Sequence, residues 1–160
     1  MFEIKNPSFA KILFFLSFIT LSSALYIEYI LGYAPCNLCL LQRIPYLICL
    51  LSCGIFLIFK KFDKLFLILV FTIFSIAMIL SLYHVGLEQG FFEESFLCST
   101  SAQEFNKPSE LLRELKPLQL SCRNITFTIF GFSLATFNLI LSLAIMFITF
   151  KKFIRYEKNK

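Results

Sequence analysis

The chain has 160 residues, 58% of them hydrophobic and 16% charged, with 22 Phe, no Trp and a formal net charge of +5. Its mean hydropathy is +0.79. A soluble domain carries about 25% charge to cover its surface, so this composition excludes both disorder and an ordinary soluble fold. The apolar residues fall in long runs, which points to a single-domain, all-α membrane protein: a four-transmembrane-helix bundle with one long outer loop.

Four uncharged stretches run from Ile12 to Ile27, Ile44 to Phe59, Leu65 to Tyr83 and Ile125 to Phe150. Each comes near or exceeds the length that crosses ~30 Å of hydrocarbon at about 1.5 Å per residue. Extending the shorter two with their apolar neighbours predicts spans at about 10–31, 40–59, 65–84 and 125–150. A signal peptide is the rival reading of the first run, with Lys5 and Lys11 before it and Ser22, Ser23 and Ala24 near its end. The run continues through Leu25, Tyr26 and Ile27, longer than a usual signal core, and favours a retained span.

Basic residues in short loops orient the chain. Ten Lys and Arg (Lys5, Lys11, Lys60, Lys61, Lys64, Lys151, Lys152, Arg155, Lys158, Lys160) and three acids fall on one side, net +7. Five (Arg43, Lys107, Arg113, Lys116, Arg123) and seven acids fall on the other, net −2. Both termini are therefore expected in the cytoplasm. The positive charge is a topology signal, and no soluble basic face exists for nucleic acid. Membrane lipid is the expected surrounding.

Between the spans lie an outer turn at Gly32 to Asn37, a basic inner loop at Lys60 to Lys64, and the long outer loop at about 86–124. In that loop Pro108, Ser109 and Glu110 read as a helix start, Leu111, Leu112, Leu115 and Leu118 are near helical spacing, and Pro117 reads as a stop. The segment is expected as a short amphipathic helix, either on the membrane surface or packed on the outer ends of the spans. Glu28 and Glu88 read as solvated outer-surface acids. Asn124-Ile125-Thr126 fits a glycosylation sequon and is taken as a chance match.

The six cysteines divide by depth. Cys36 and Cys39 form a C-x-x-C at the outer mouth of the second span, where a helix start favours a thiolate. Arg43, one turn beyond Cys39, can add fixed positive charge there. Half of a zinc site is the competing reading, but it wants a second Cys or His pair at matching spacing, so no metal is expected. Cys98 and Cys122 lie in the long loop. Closing a loop of roughly 25 residues contributes about 3.5 kcal/mol in the chain-entropy model, so the pair could be structural. The neighbouring C-x-x-C moves the reading toward exchange, because two disulfides on one face of a small membrane protein can exchange with each other. Cys49 and Cys53 share a face deep in the second span and read as packing residues.

Pro35-Cys36-Asn37-Leu38-Cys39-Leu40-Leu41-Gln42-Arg43 resembles the P-C-x-L-C-x-x-[EQ]-R signature of the disulfide bond formation protein B (DsbB) family. Tyr83-His84-Val85-Gly86-Leu87-Glu88-Gln89-Gly90 is similar to the Y-H-x-G-x-E-x-G segment of many members. Gly131 to Asn138 is like the opening of the family's last span, and Cys98 and Cys122 stand where its loop pair stands.

The resemblance implies a bacterial inner-membrane thiol:quinone oxidoreductase that reoxidises a soluble periplasmic thioredoxin-fold oxidase (DsbA-like) and passes electrons to ubiquinone or menaquinone. Carried over by position, Cys98 is attacked by the reduced partner with Cys122 as leaving thiol, and electrons pass to Cys36 and Cys39. Cys39 then delivers them to quinone, with Arg43 stabilising negative charge. His84, level with the C-x-x-C, either assists proton uptake, touches the quinone, or is an interfacial hydrogen-bonding residue. Two alternatives differ in kind. A vitamin K epoxide reductase-like thiol oxidase carries its C-x-x-C on a late span, unlike this chain, and a non-enzymatic scaffold would use the disulfides only as staples.

Overall fold

A computed structural model describes residues 6–59, 63–92, 128–129 and 131–158. Four helices carry the described chain: α1 (Asn6–Tyr29), α2 (Asn37–Phe59), α3 (Asp63–Glu88) and α4 (Leu134–Lys158). Each is long and apolar enough to cross a membrane. The protein is thus an all-α, multi-pass membrane bundle. The expected surface helix after Pro108, together with Cys98 and Cys122, lies outside the described residues.

Entry to the fourth helix differs from the pattern in the sequence. The apolar run begins at Ile125, yet α4 starts at Leu134, after a small antiparallel hairpin of β1 (Thr128–Ile129) and β2 (Phe132–Ser133). Ser133 explains the start. Its hydroxyl accepts from the Thr136 N–H at 3.2 Å, an N-cap that satisfies one of the free donors of the first turn. Hydropathy alone carries no such signal, because both sides of Ser133 are apolar.

The bundle is apolar outside as well as inside, as a bilayer solvent permits. Phe15, Ile19, Ile58, Ile79 and Phe147 all point outward. What distinguishes the interior is small and weakly polar side chains that let backbones approach: Ala10, Ser17, Cys49, Cys53, Ala77, Ser81, Ala135 and Ser142 are buried. Larger groups fill the gaps between them. Phe74, Leu67, Val70 and Leu13 are fully covered, Phe56 stacks on Phe66, and Tyr46 meets Phe74 edge-on at 5.6 Å.

Polar groups buried among these side chains need partners, since no water competes. Ser81 donates to the Ala77 carbonyl and Thr149 to the Ile145 carbonyl, each within its own helix. Tyr46 on α2 donates across the bundle to Asn138 Oδ1 on α4. At the end opposite Cys36, Lys64 pairs with Glu157 and joins the start of α3 to the close of α4. Arg155 and Lys158 occupy the last turn of α4, where cations complement the helix dipole.

Tyr46→Phe leaves the Asn138 amide without its cross-helix donor. Interhelical hydrogen bonds of this kind contribute about 0.6 kcal/mol on average and at most about 1.7. The variant should unfold in detergent with a stability loss in that range, while Phe74→Ala, which opens a cavity, should lose about 3–5 kcal/mol. Chemical unfolding of the two purified variants followed by circular dichroism checks both.

Candidate functional site

At the start of α2 the chain places a sulfur where helices usually carry Ser, Thr, Asp or Asn. The Cys36 carbonyl accepts the first helical bond, from Leu40 N–H at 3.1 Å, and its Sγ accepts the Cys39 N–H at 3.3 Å. Cys36 is therefore the N-cap of α2, and Cys39 stands at the third helical position. C-x-x-C spacing follows from this geometry, because the N-cap side chain reaches the N–H three residues on. Sγ of Cys39 lies 2.9 Å from Sγ of Cys36, and both thiols are free.

From α3, His84 meets this pair. Its Nε2 is 3.7 Å from Cys36 Sγ, and the ring is 3% exposed. Gln42 sets the tautomer: its amide N–H donates to the Leu80 carbonyl at 3.5 Å and faces His84 Nδ1 at 3.2 Å. Nδ1 then accepts, so the ring proton sits on Nε2 and is directed at the Cys36 sulfur and at Glu88 Oε1, 3.8 Å away. The Ser133 hydroxyl donates to the other carboxylate oxygen of Glu88, so the cap of α4 also steadies the site.

A Schellman close holds this end of α3 in place. Gly90 N–H returns to the Leu87 carbonyl at 3.0 Å and Phe91 N–H to the Gly86 carbonyl at 2.9 Å, with Gly90 at φ 78°. Gly86 has no side chain because the Phe92 ring occupies the space a Cβ would take. The motif Tyr83 to Gly90 thus reads physically as a sulfur-facing His, a clearance Gly, an acid one turn on, and a left-handed stop.

The electrostatics favour an anion on Cys36. The hydrogen bond from the Cys39 thiol is the largest cause, with His84 and the Cys39 N–H adding to it. Burial opposes them, and the Cys36 thiol is held down to about 4 from an ordinary value of 9.0. In the reduced pair the anion-favouring position at the helix start belongs to Cys36, whose Sγ accepts the Cys39 N–H.

A profile of the family Disulfide bond formation protein DsbB matches residues 6–151 of this chain. That covers all four helices nearly in full. The chain belongs to the disulfide bond formation protein B family. It is accordingly a disulfide-generating membrane oxidoreductase. A Rickettsia prowazekii (strain Madrid E) protein described as uncharacterized protein RP370 is 32% identical over 141 residues, which cover 84% of this chain and 80% of that one.

Several features of this DsbB-family site correct the reading from sequence. Arg43 forms an ion pair with Glu28 and donates to the Ala24 carbonyl at 3.4 Å. Glu28 is therefore not a freely solvated acid, since both side chains are only 21% exposed. Glu88, expected at the solvated surface, is 7% exposed and lies against His84.

Sequence reasoning passed over Gln42, Glu88 and Ser133 as site residues. Signals for the first two were present: Gln42 adjoins Arg43 in the signature, and Glu88 follows His84 by one helical turn. Glu28 also had one, because an acid and an arginine at the same membrane depth are expected to pair. Cys49 and Cys53 are fully buried, with sulfurs 3.9 Å apart, well inside the bundle and away from the dithiol.

The thiolate absorbance of reduced protein should titrate near pH 4, because Cys36 loses its proton there. In His84→Ala, which removes one charge-assisted donor, the midpoint should rise by about one to two pH units. Between about 4 and 9 the unfolded chain binds the proton and the folded one does not. Stability of the reduced protein therefore rises with pH through that window and is lost as pH falls toward 4. Ultraviolet titration and unfolding at several pH values check the two halves.

Proposed function

We propose that this protein is a thiol:quinone oxidoreductase of a bacterial inner membrane, with both termini cytoplasmic, that reoxidises a soluble periplasmic thioredoxin-fold oxidase. The observation that carries this reading is the capped dithiol at a membrane helix end, two sulfurs 2.9 Å apart with Cys36 Sγ facing the Cys39 N–H and His84 Nε2. The family assignment and the C-x-x-C with Arg43 support the same direction.

Cys98 and Cys122 are the proposed entry couple. The partner's thiolate attacks Cys98, Cys122 leaves, and the partner disulfide forms as the loop pair becomes a dithiol. That dithiol then reduces the Cys36–Cys39 disulfide and is itself reoxidised. Each exchange makes one disulfide and breaks one, so electrons move without net loss.

The residues at the exit couple fit a quinone. Cys39 is half-buried, with Leu41 and Tyr83 packed nearby, and Leu40 and Ile44 present apolar surface to the lipid. Arg43 holds a guanidinium at this depth, with N–H donors beyond those used by Glu28 and Ala24. A quinone, when bound, supplies the terminal acceptor for two electrons and two protons per disulfide made. Arg43 and Cys39 would hold it.

The chain's own residues do the rest. Cys36, kept as a thiolate beside Cys39, is positioned to close the disulfide as electrons leave through Cys39. His84 donates Nε2–H to that thiolate, and Gln42, Glu88 and Ser133 keep the imidazole in the donating tautomer and orientation. The Glu28 carboxylate anchors Arg43 so that its remaining donors stay at the membrane edge.

Purified protein supplied with a quinone and a reduced thioredoxin-fold partner should oxidise the partner. Turnover should vanish in Cys36→Ala and Cys39→Ala and persist in Cys49→Ala. Absence of turnover in the unaltered protein, or its survival without Cys39, would overturn the proposal.

A further inference from the structure

The same geometry that favours a thiolate also assembles metal ligands, which the spacing in the sequence did not foretell. Cys36 Sγ, Cys39 Sγ and a His84 ring nitrogen all lie within 4.8 Å of one another. Around a tetrahedral zinc ion, bond lengths of about 2.3 Å to sulfur and 2.0–2.1 Å to nitrogen put neighbouring ligand atoms roughly 3.5–3.8 Å apart. Cys36 Sγ and His84 Nε2 already stand 3.7 Å apart. The two sulfurs, at 2.9 Å, need only part by about 1 Å, a side-chain adjustment.

The shell around these atoms is also of the right kind. Glu88 brings a carboxylate oxygen to 3.8 Å from His84 Nε2, within reach of a fourth coordination position, while Ser133 holds its other oxygen. Gln42, 3.2 Å from Nδ1, can turn its amide to accept an Nδ1–H and so free Nε2 for a metal. Two sulfurs with an imidazole select a borderline-soft ion and disfavour calcium or magnesium, which take oxygen ligands.

We propose that the reduced Cys36–Cys39 pair, with His84 and Glu88, binds one divalent cation of the zinc class, and that the bound ion holds the pair out of its redox cycle. Binding forms two metal–sulfur bonds and releases the thiol protons still present, and nothing is oxidised. The disulfide form has no thiolate to offer, so the site exists in only one of the two redox states. Inhibition is the consequence that rests on the disulfide-generating reading; metal binding does not depend on it.

The test uses the full chain in detergent, carrying Cys98→Ser and Cys122→Ser so that loop sulfurs cannot contribute. The protein is reduced, freed of reductant without air, and titrated with Co2+ as a spectroscopic substitute for Zn2+. One Co2+ per chain should bind with a thiolate-to-cobalt charge-transfer band, be displaced by Zn2+, and fail to bind the oxidised protein. The band should vanish in Cys36→Ser and Cys39→Ser and remain in Cys49→Ala.

Affinity should fall about tenfold or more in both His84→Ala and His84→Gln, the second retaining a polar side chain in the buried site in case the first fails to fold. A band that survives Cys36→Ser, an unchanged affinity in both His84 variants, or no sulfur-ligated cobalt at all overturns the proposal. In a separate assay with partner and quinone, Zn2+ should stop turnover of the unaltered protein and a chelator restore it. Failure of turnover before any metal is added counts against the functional reading alone, because the cobalt spectrum is read without it.

Discussion

The structure of the site depends on a sulfur standing in the capping position of a helix that enters an apolar layer. An N-cap must accept N–H groups that nothing else satisfies, and the partial positive charge of the helix start favours whatever carries negative charge there. Cys36 meets both demands. Once that atom is an acceptor, Cys39 at the third helical position is brought against it by backbone geometry alone, and two thiols that could have been separate become one couple.

Everything packed behind Cys36 orients the group that faces it. His84 is useful because its proton is on Nε2, and it is there because Gln42 occupies Nδ1. Glu88 steadies the ring from the next turn, and Ser133 steadies Glu88 while capping α4. Three helices thus converge on one sulfur through a line of polar groups, each nearly closed to solvent. Such groups are expensive to leave unpaired in a membrane, so their mutual satisfaction also fixes how α2, α3 and α4 meet at this end. Arg43 belongs to a neighbouring unit: its ion pair with Glu28 ties α1 to α2.

Lower in the bundle the logic changes from polarity to size. Cys49 and Cys53 sit with Ser17, Ser142 and Ala77 among the fully buried side chains, where small volume permits close helix packing. Chemically they are the same residue as Cys36 and Cys39. The difference lies in surroundings: no helix start and no imidazole among their described neighbours, so the same thiol acts as a small hydrophobe.

Much of this was legible in the sequence, and the division has a physical basis. Length and apolar character are local properties, so the runs beginning at Ile12, Ile44, Leu65 and Ile125 announced four membrane helices, and the C-x-x-C spacing announced a dithiol at a helix mouth. Family resemblance rested on the same kind of local pattern. What the sequence by itself could not determine was every choice made across helices. His84 is 48 residues from Cys36, Glu28 is 15 from Arg43, and Ser133 is 45 from Glu88. Whether an acid is solvated or buried, and which of two neighbouring thiols is the anion, depends on which groups packing brings within hydrogen-bond reach, and only the tertiary structure decides that.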